Sequence, residues 1–357
     1  MQLLAAHVQT HRRQAPVHIG TIETMSNKTI LGVIGVIIGL GLLYLSVRNV
    51  DFGSVRESFS QADFRYAIVT LVVLAGFYWL KAMRWRDILS PVGGFSSATL
   101  FPSMISGAAC NNLLPAHLGE IVRVYMLGHQ LQISKAAILA TLVVERIFDL
   151  IAVLVLTTIA LLMIEVDAQF HAAALFLAVV AGVGLTVTYL TARYPETAVG
   201  LMERTLHFLP QRFIQRLSSL LTNTSAGLLA LRDPRLFLLV LGNSIVQWLA
   251  MAICVYFAIL AFDIEVPSYA AILVLALLVA GVSLPTSPGF VGTIQFCFVL
   301  GLKQFGIDAN TAFAASVFYH TITFVSVTLT GLYFMHRYRL KIRSVYAIGL
   351  ENEPDKI

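Results

Sequence analysis

The sequence predicts an all-α, polytopic membrane protein with about eight spans. Of its 357 residues, 58% are hydrophobic and 12% are charged, whereas ordinary soluble domains carry roughly 25% charged residues. Apolar runs that can cross a hydrocarbon core of about 30 Å, which takes about 20 helical residues, recur along the chain. This composition excludes a soluble globular domain, and it favours membrane lipids rather than nucleic acids as partners.

The predicted spans are seven apolar runs, accompanied by two shorter runs that proline and glycine interrupt. The seven runs are 30–47, 67–80, 136–164, 172–190, 236–262, 269–284 and 311–334, and the two interrupted runs are 100–114 and 290–302. Irregular backbone at membrane depth is tolerated only where protein or a water-filled cavity covers it. We therefore expect broken or re-entrant segments near 100–127 and 284–302, in the interior of the protein.

Basic residues predict that both termini lie on the cytoplasmic side of the inner membrane. Bases gather in 191–235, in HRYRLKIR (336–343) and just after the second run, whereas the loops around 165–167 and 263–265 carry acids alone. Eight crossings agree with these signals if 100–127 dips in and returns to the same face while 290–302 crosses once. The loop 48–65, which has three arginines and three acids, disagrees weakly.

A single transmembrane domain is expected over 29–340, between an N-terminal tail (1–28) and a C-terminal tail (341–357). Within it, the connection 191–235 places leucine and phenylalanine at helical spacing with arginines between them. This pattern is typical of an amphipathic helix on the inner leaflet, and a plain solvated connector is the alternative.

Three charges interrupt the run 136–164. In VVERIFDL (143–150), Glu145, Arg146 and Asp149 lie roughly 14–20 Å from the start of a helix that rises about 1.5 Å per residue. Each charge costs at least about 2.5–3.5 kcal/mol near the bilayer centre, so these side chains must face protein or a watery cavity. Glu145 and Asp149 share a helix face, but Arg146 points elsewhere and needs its own acid or an anion. Such clusters usually line a pathway; a buried ion-pair network that only locks helices together is the alternative.

The two broken segments repeat one design. LLPAHLGEIVR (113–123) and LPTSPGFVGTIQ (284–295) both place proline and glycine inside apolar sequence, and the first also carries Glu120 and Arg123. A helix predicted to start at about residue 290 would offer free N–H groups and a partial positive charge, which suit phosphate or carboxylate. Paired interrupted segments in the two halves of a transporter indicate its binding site.

Four motifs carry a family resemblance. FYWLKAMRWRDIL (77–89), NNLLPAHLGEIVRVYML (111–127), VVERIFDL (143–150) and LPTSPGFVGTIQ (284–295) resemble, in this order and spacing, the transmembrane region of lysylphosphatidylglycerol synthases. The similarity covers about residues 29–340. In the fused members this flippase-like region is understood to move a charged phospholipid across the bilayer, while a separate soluble domain attaches lysine. The resemblance thus implies lipid transport here, without aminoacyl transfer.

The resemblance also implies a set of residues that contact the lipid head group. Arg84 matches the family's aromatic-arginine motif, and His117 and Gln295 depart from its pattern, which often has arginine and an acid at those positions. The departures suggest a different head group or charge balance. The full predicted set is Arg84, Asn112, His117, Glu120, Arg123, Glu145, Arg146, Asp149, Pro288, Gly289, Gly292 and Gln295.

The sequence thus favours a flippase or transporter for a phosphate-containing lipid, such as an anionic phospholipid, a glycolipid or a polyprenyl phosphate. Two other classes stay open: a membrane transferase that acts on a lipid-linked phosphate, and a scaffold that recruits a partner enzyme. His117 and Glu120 lack a second such pair for a metal site, so neither metal nor cofactor is expected. Homo-oligomers are compatible with the sequence.

Overall fold

The computed structural model describes residues 35–114, 118–163, 168–194, 229–283 and 287–338, together with residues 196, 197, 200, 202 and 204. Every regular element in these ranges is helical, so the all-α prediction is confirmed. Both predicted tails, most of the connection 191–235, and His117 lie outside the described residues.

Eleven α-helices, numbered here in chain order, make up the described part of the chain. Four of them are long and apolar enough to cross a membrane alone: α3, α7, α8 and α11, with a fifth if α1 and α2, which meet at 78°, form one span. Eight crossings and cytoplasmic termini therefore stay predictions. The helices are α1 Gly35–Val47, α2 Phe52–Gln61, α3 Arg65–Leu89, α4 Ser97–Leu113, α5 Gly119–Leu131, α6 Lys135–Leu162, α7 Ala168–Arg193, α8 Pro234–Leu260, α9 Tyr269–Ser283, α10 Thr293–Lys303 and α11 Ala309–Arg337.

Helix α3 differs from the sequence prediction at its end. The second span was predicted to stop at residue 80, with Lys81, Arg84 and Arg86 beyond it, but α3 continues to Leu89 and Arg84 is fully buried. The hydropathy of the sequence falls at these bases because they are charged, and hydropathy takes no account of partners from other helices. Those partners, described below, let α3 keep Lys81 and Arg84 inside the protein, whereas the Arg86 side chain is 42% exposed.

Helices α4 and α5 form an antiparallel hairpin, called hairpin 1. Gly107 packs on Gly119 and Arg123 so closely that a Cβ on Gly119 would overlap the carbonyl oxygen of Gly107. The Gly119 N–H also donates to Asn111 Oδ1 at 2.7 Å. The helices have 17 and 13 residues, fewer than the roughly 20 that a crossing needs. This geometry agrees with a segment that dips in and returns.

Helices α9 and α10 form a second antiparallel hairpin, hairpin 2. Gly281 lies against Thr293, and Gly301 lies against Val274. With 15 and 11 residues, these helices are short as well. Helix α10 begins at Thr293, later than the start near 290 predicted from the sequence, because Gly289, Phe290 and Gly292 all have positive φ and cannot continue a right-handed helix.

The described core consists of two units related by inverted topology. Helix α3, hairpin 1 and α6 form the first unit, and α8, hairpin 2 and α11 repeat this order about 170 residues later. Helices α3 and α8 run antiparallel: the rings of Tyr66 and Phe257 lie 5.8 Å apart near one end, and Arg84 contacts Ser244 near the other. The second unit is therefore upside down relative to the first, as in many transporters.

The two hairpins enter from opposite faces and meet inside the protein. Hairpin 1 starts and ends at the face where α3 ends, called the Leu89 face, and hairpin 2 does so where α8 ends, called the Leu260 face. A Cβ on Gly289 in hairpin 2 would lie 3.3 Å from the Asn112 carbonyl oxygen in hairpin 1. Beside these tips, an apolar core joins α3, α8, α9, α10 and α11.

Candidate functional site

Charged side chains from α3 and α5 converge on Glu145 of α6, which is fully buried. Lys81 Nζ lies 2.9 Å from Glu145 Oε1, and Arg123 Nη2 lies 2.8 Å from Glu145 Oε2. Arg84 Nη2 approaches Oε1 at 3.6 Å. One carboxylate is thus surrounded by three cations, each from a helix of the first unit.

Asp149, one turn further along α6, is the second buried carboxylate. Arg84 Nη1 lies 2.8 Å from its Oδ1, and Lys81 Nζ lies 3.8 Å from Oδ2. The Trp248 indole N–H on α8 donates to Oδ1 at 3.0 Å. The predicted common face of Glu145 and Asp149 is confirmed. We call Lys81, Arg84, Arg123, Glu145 and Asp149 the buried charge cluster.

Arg146 and Glu120 form a pair at the edge of this cluster. Arg146 Nε lies 3.1 Å from Glu120 Oε1, and the side chains are 51% and 31% exposed. The separate acidic partner that the sequence required for Arg146 is therefore Glu120. Arg146 also belongs to an exposed, otherwise apolar stripe of α6 with Leu139, Val143 and Leu150. This stripe is the kind that faces lipid, so the pair lies where the charge cluster borders an exposed apolar surface.

The buried charge cluster carries a surplus of positive charge. Its three cations and two carboxylates sum to +1, while the Arg146–Glu120 pair is neutral. Arg84 Nε and Nη2 and Arg123 Nε have no hydrogen-bond acceptor among the described residues. Guanidinium groups can only donate, and an uncompensated buried charge is costly. Asp149 Oδ2 likewise makes no hydrogen bond among the described residues, so the cluster holds unsatisfied donors and an unsatisfied acceptor side by side.

Aromatic and hydroxyl side chains hold the two arginines in place. The guanidinium of Arg123 stacks over the Trp85 ring at 4.2 Å, within the range of cation–π attraction. The Trp85 indole N–H donates to Thr141 Oγ1 at 3.0 Å, and Arg84 Nη1 donates to Ser244 Oγ at 2.7 Å. These contacts fix the positions of both guanidinium groups.

The predicted site residues of hairpin 2 form a separate group. The Gly292 N–H donates to Gln295 Oε1 at 2.7 Å, so the start of α10 is capped by its own side chain. The His320 ring lies 3.1 Å from Gln295 Nε2 and 2.8 Å from the Gly289 carbonyl oxygen. His320 is therefore an interior histidine with a partner at each ring nitrogen. Pro288 opens the turn that leads into this group.

A largely apolar cavity of about 180 Å³ lies between the hairpin tips. Asn112 and Gly289 border it from the two hairpins, and Tyr78, Trp248 and Phe324 add aromatic walls. The Trp248 ring faces this cavity while its N–H holds Asp149. Trp248 therefore links the cavity to the buried charge cluster.

The structure gathers six predicted site residues and adds others that the sequence did not indicate. Lys81 was assigned only to orientation, although its i, i+3 spacing from Arg84 on a helix could have placed both on one side. Trp85, Ser244 and Trp248 gave no signal, because such residues are ordinary in apolar helices. Within the described ranges, no three metal-ligating side chains come together. The six gathered residues are Arg84, Glu120, Arg123, Glu145, Arg146 and Asp149.

Comparisons with known proteins agree with the motif resemblance. The family model described as "Lysylphosphatidylglycerol synthase TM region" matches residues 32–331. A UPF0104 membrane protein of Methanothermobacter thermautotrophicus is 25% identical over 324 residues, which cover 84% of this chain and 94% of the relative. A UPF0104 membrane protein of Methanocaldococcus jannaschii is 26% identical over 62% of this chain and 90% of its own. Glycosyltransferase AglD of Haloferax volcanii is 23% identical over 87% of this chain and 55% of its own. No solved structure matches.

Proposed function

Because this chain belongs to the family of the lysylphosphatidylglycerol synthase transmembrane region, we propose that it moves a phosphate-containing lipid across the cytoplasmic membrane. The observation that carries the proposal is the buried charge cluster, in which three cations meet two carboxylates and some arginine N–H groups make no hydrogen bond within the described residues. Ionisable residues inside a membrane protein usually mark a substrate pathway. A lipid phosphate is an anion that can reach this depth, because its hydrocarbon chains are already in the bilayer.

The lipid head group enters sideways, past the Arg146–Glu120 pair. Both side chains are partly exposed, and Leu139, Val143 and Leu150 continue the same stripe of α6. A head group that passes this pair leaves its tails against apolar side chains. The tails therefore stay in the hydrocarbon while the phosphate moves inward, which avoids the cost of pulling chains through a polar channel.

Inside, Arg84 and Arg123 bind the phosphate through N–H groups that make no hydrogen bond to any described residue. Glu145 and Asp149 orient these arginines through contacts of 2.8 Å each. Charge-assisted hydrogen bonds of this kind are about twice as strong as neutral ones. Lys81 adds a third cation at the edge of the cluster, where its side chain is 12% exposed.

The inverted units supply two related states for transport. If the two units exchange conformations, the cluster opens first toward one face and then toward the other, as in transporters with inverted repeats. The lipid shifts this equilibrium only by its differential affinity for the two states. The hairpin tips at Asn112 and Gly289 lie where such an exchange would open or close the path.

Translocation in proteoliposomes tests the proposal. Fluorescent anionic phospholipids and polyprenyl phosphates are compared for wild type, Glu145→Gln and Arg123→Ala, at equal amounts of folded protein. Glu57→Gln is the matched control, because Glu57 is exposed on α2. Wild type and the control should move lipid, and the two cluster variants should not. Equal movement by folded Arg123→Ala would contradict a phosphate path through the cluster.

A second candidate, a membrane transferase that acts on a lipid-linked phosphate, is favoured by one observation. The Haloferax volcanii relative is named a glycosyltransferase, and this chain matches 55% of its length. The test is turnover of a labelled sugar donor on a polyprenyl phosphate, with and without a divalent metal ion. Metal-dependent turnover that Glu145→Gln abolishes, with no lipid translocation, would favour the transferase.

A further inference from the structure

We propose that His320 is a proton-sensitive positioning residue, which in its neutral form holds the tip of hairpin 2 (residues 287–292) against hairpin 1 and on protonation releases it. The inference concerns the contact between the two hairpins. It goes beyond the proposed function, because it holds whether or not the chain moves a lipid. It follows from the direction of three hydrogen bonds, from the lack of a compensating charge and from the backbone of the tip.

The hydrogen bonds around His320 have only one direction that satisfies every atom. The Gly292 N–H can only donate, so the amide atom of Gln295 that it meets at 2.7 Å is the oxygen, and the amide nitrogen points to the ring. Gln295 Nε2 therefore donates to His320 Nδ1 at 3.1 Å. The Gly289 carbonyl oxygen can only accept, so the ring Nε2–H donates to it at 2.8 Å. This chain of bonds requires a neutral ring with its proton on Nε2.

Protonation of the ring breaks this chain of bonds. An imidazolium ion has two N–H donors and no acceptor, so the new N–H on Nδ1 would meet the amide NH₂ group of Gln295. If the amide turns over, its oxygen meets the ring, but its NH₂ group then meets the Gly292 N–H. Either arrangement sets two donors against each other in the interior, where an unsatisfied polar group is costly. Only the neutral ring therefore keeps both ends of the chain bonded.

The surroundings of His320 hold no charge that would compensate a positive ring within the described residues. The ring borders the cavity between the hairpin tips, and no aspartate, glutamate, lysine or arginine is among the described residues that line this cavity. Its other titratable groups are the phenols of Tyr78 on α3 and Tyr319 on α11, and helix α9 contributes only leucine and valine. The remaining large or polar side chains near the ring are Asn112 from α4, Trp248 from α8, and Thr323 and Phe324 from α11. Because a buried charge without a partner is costly, the ring takes up a proton when the tip moves and water enters.

The backbone of the tip depends on the same hydrogen bonds. Gly289, Phe290 and Gly292 have φ angles of 71°, 59° and 86°, in the left-handed region that is strained for phenylalanine. Strained backbone persists only where the surrounding structure holds it. Here His320 binds the carbonyl group just before Phe290, and Gln295 binds an N–H group just after it. Loss of either contact therefore lets the turn relax.

The tip is also packed closely between two other elements. A Cβ on Gly289 would lie 3.3 Å from the Asn112 carbonyl oxygen of hairpin 1, and a Cβ on Gly292 would overlap the Gly39 carbonyl oxygen of α1. A turn packed this closely cannot change its backbone in place, because overlap in a well-packed interior is destabilising. Relaxation of the turn therefore moves the tip away from hairpin 1 and widens the cavity of about 180 Å³ between them.

The test measures the separation of the two hairpins as the pH falls. Spin labels are attached to cysteines introduced at Leu113 on hairpin 1 and at Val291 on the tip of hairpin 2, where the side chains are 36% and 45% exposed. The three native cysteines are buried, and the chain without the introduced cysteines gives the background of labelling. Electron paramagnetic resonance of the full chain in nanodiscs compares about pH 8 with about pH 5, on either side of the ordinary histidine titration. We expect the labels to lie several ångströms further apart at the lower pH.

Two variants make the response specific to the chain of hydrogen bonds. Gln295→Glu keeps the shape of the side chain but offers acceptors to both the Gly292 N–H and a protonated ring, so the hairpins should stay together at about pH 5. His320→Gln has no group that titrates in this range, so its label separation should not change with pH. His336→Gln is the matched control, because His336 lies on the same helix with an exposed side chain, and it should respond as the wild type does.

A label separation that does not change between these two pH values overturns the proposal, and so does an acid response that persists in folded His320→Gln. A full acid response in Gln295→Glu would also overturn it, and this result does not depend on whether His320→Gln folds. Acid-induced separation of the hairpins without lipid translocation would support this inference while contradicting the proposed function. Lipid translocation by a chain whose hairpins do not respond to pH would do the reverse.

Discussion

Replacing Glu145 with glutamine should destabilise the protein by about 3–5 kcal/mol, the usual cost of removing one partner from a buried ion pair. The carboxylate contacts three cations at 2.8, 2.9 and 3.6 Å. Each attraction is worth about 4 kcal/mol at an effective dielectric constant of 20 and 4 Å. Loss of the charge also removes the desolvation cost of the carboxylate, several kcal/mol, which offsets part of these attractions.

The assay is reversible unfolding of the purified protein in mixed detergent micelles. Glu57→Gln serves as the matched control and should change the free energy of unfolding by less than about 0.5 kcal/mol, as exposed substitutions usually do. The double variant Lys81→Met/Glu145→Gln restores the net charge of the cluster, so it should recover part of the loss in a double-mutant cycle. A cost for Glu145→Gln of under about 1 kcal/mol would refute the view that this carboxylate compensates three buried cations.

Three further predictions concern single contacts. Gly119→Ala should break the packing of hairpin 1, since its Cβ would overlap the Gly107 carbonyl oxygen; we expect a loss of at least about 1–3 kcal/mol, measured in the same unfolding assay, and no loss would contradict the close approach. Trp248→Phe removes the N–H that holds Asp149 and should cost about 1.5–3 kcal/mol, with lower lipid affinity in nanodiscs; unchanged stability would mean that the hydrogen bond is dispensable. Asp308→Ala removes the N-terminal cap of α11 and should cost about 1 kcal/mol. Partial burial raises the pKa of Asp308, but hydrogen bonds from Thr311 and Asn310 outweigh this effect and lower the pKa below its ordinary value. The cap therefore stabilises α11 fully above the ordinary pKa, and this stabilisation is lost as the pH falls through the lowered pKa. Hydrogen exchange at the start of α11 should follow this pH dependence in wild type and not in the variant.

Much of the architecture could be predicted from hydropathy, but the form of the second broken segment could not. The sequence indicated that 100–127 returns to its own face, because the predicted spans could be connected through the basic and acidic loops only in that way. Residues 269–284 and 290–302 looked like two crossings, since both are apolar and the acids before them gave no contrary signal. Their hairpin form depends on contacts such as Gly281 against Thr293, which join residues from different helices and leave no periodic pattern.

The candidate site, like the fold, combines features that could be predicted from the sequence with features that depend on contacts between helices. The cost of charge at membrane depth was enough to predict that Glu145 and Asp149 face inward together. The partners of these two carboxylates could be predicted only in part, because a hydropathy run that ends at residue 80 places Lys81 and Arg84 in a loop. Their burial depends on α6 and α8, which follow much later in the chain. The roles of the gathered residues in binding lipid stay predictions.

Helix α7 lies outside both units, and its position explains why the chain needs it. Helix α6 ends at the Leu260 face, but α8 must begin at the Leu89 face for the second unit to be inverted. The main chain is carried back by α7, whose end near Ala192 accepts a hydrogen bond from Arg232 just before α8. Much of α7 is exposed, as expected for a peripheral helix that connects the two units. A chain without α7 would thread its second half in the same sense as its first, and the two hairpin tips could no longer face each other.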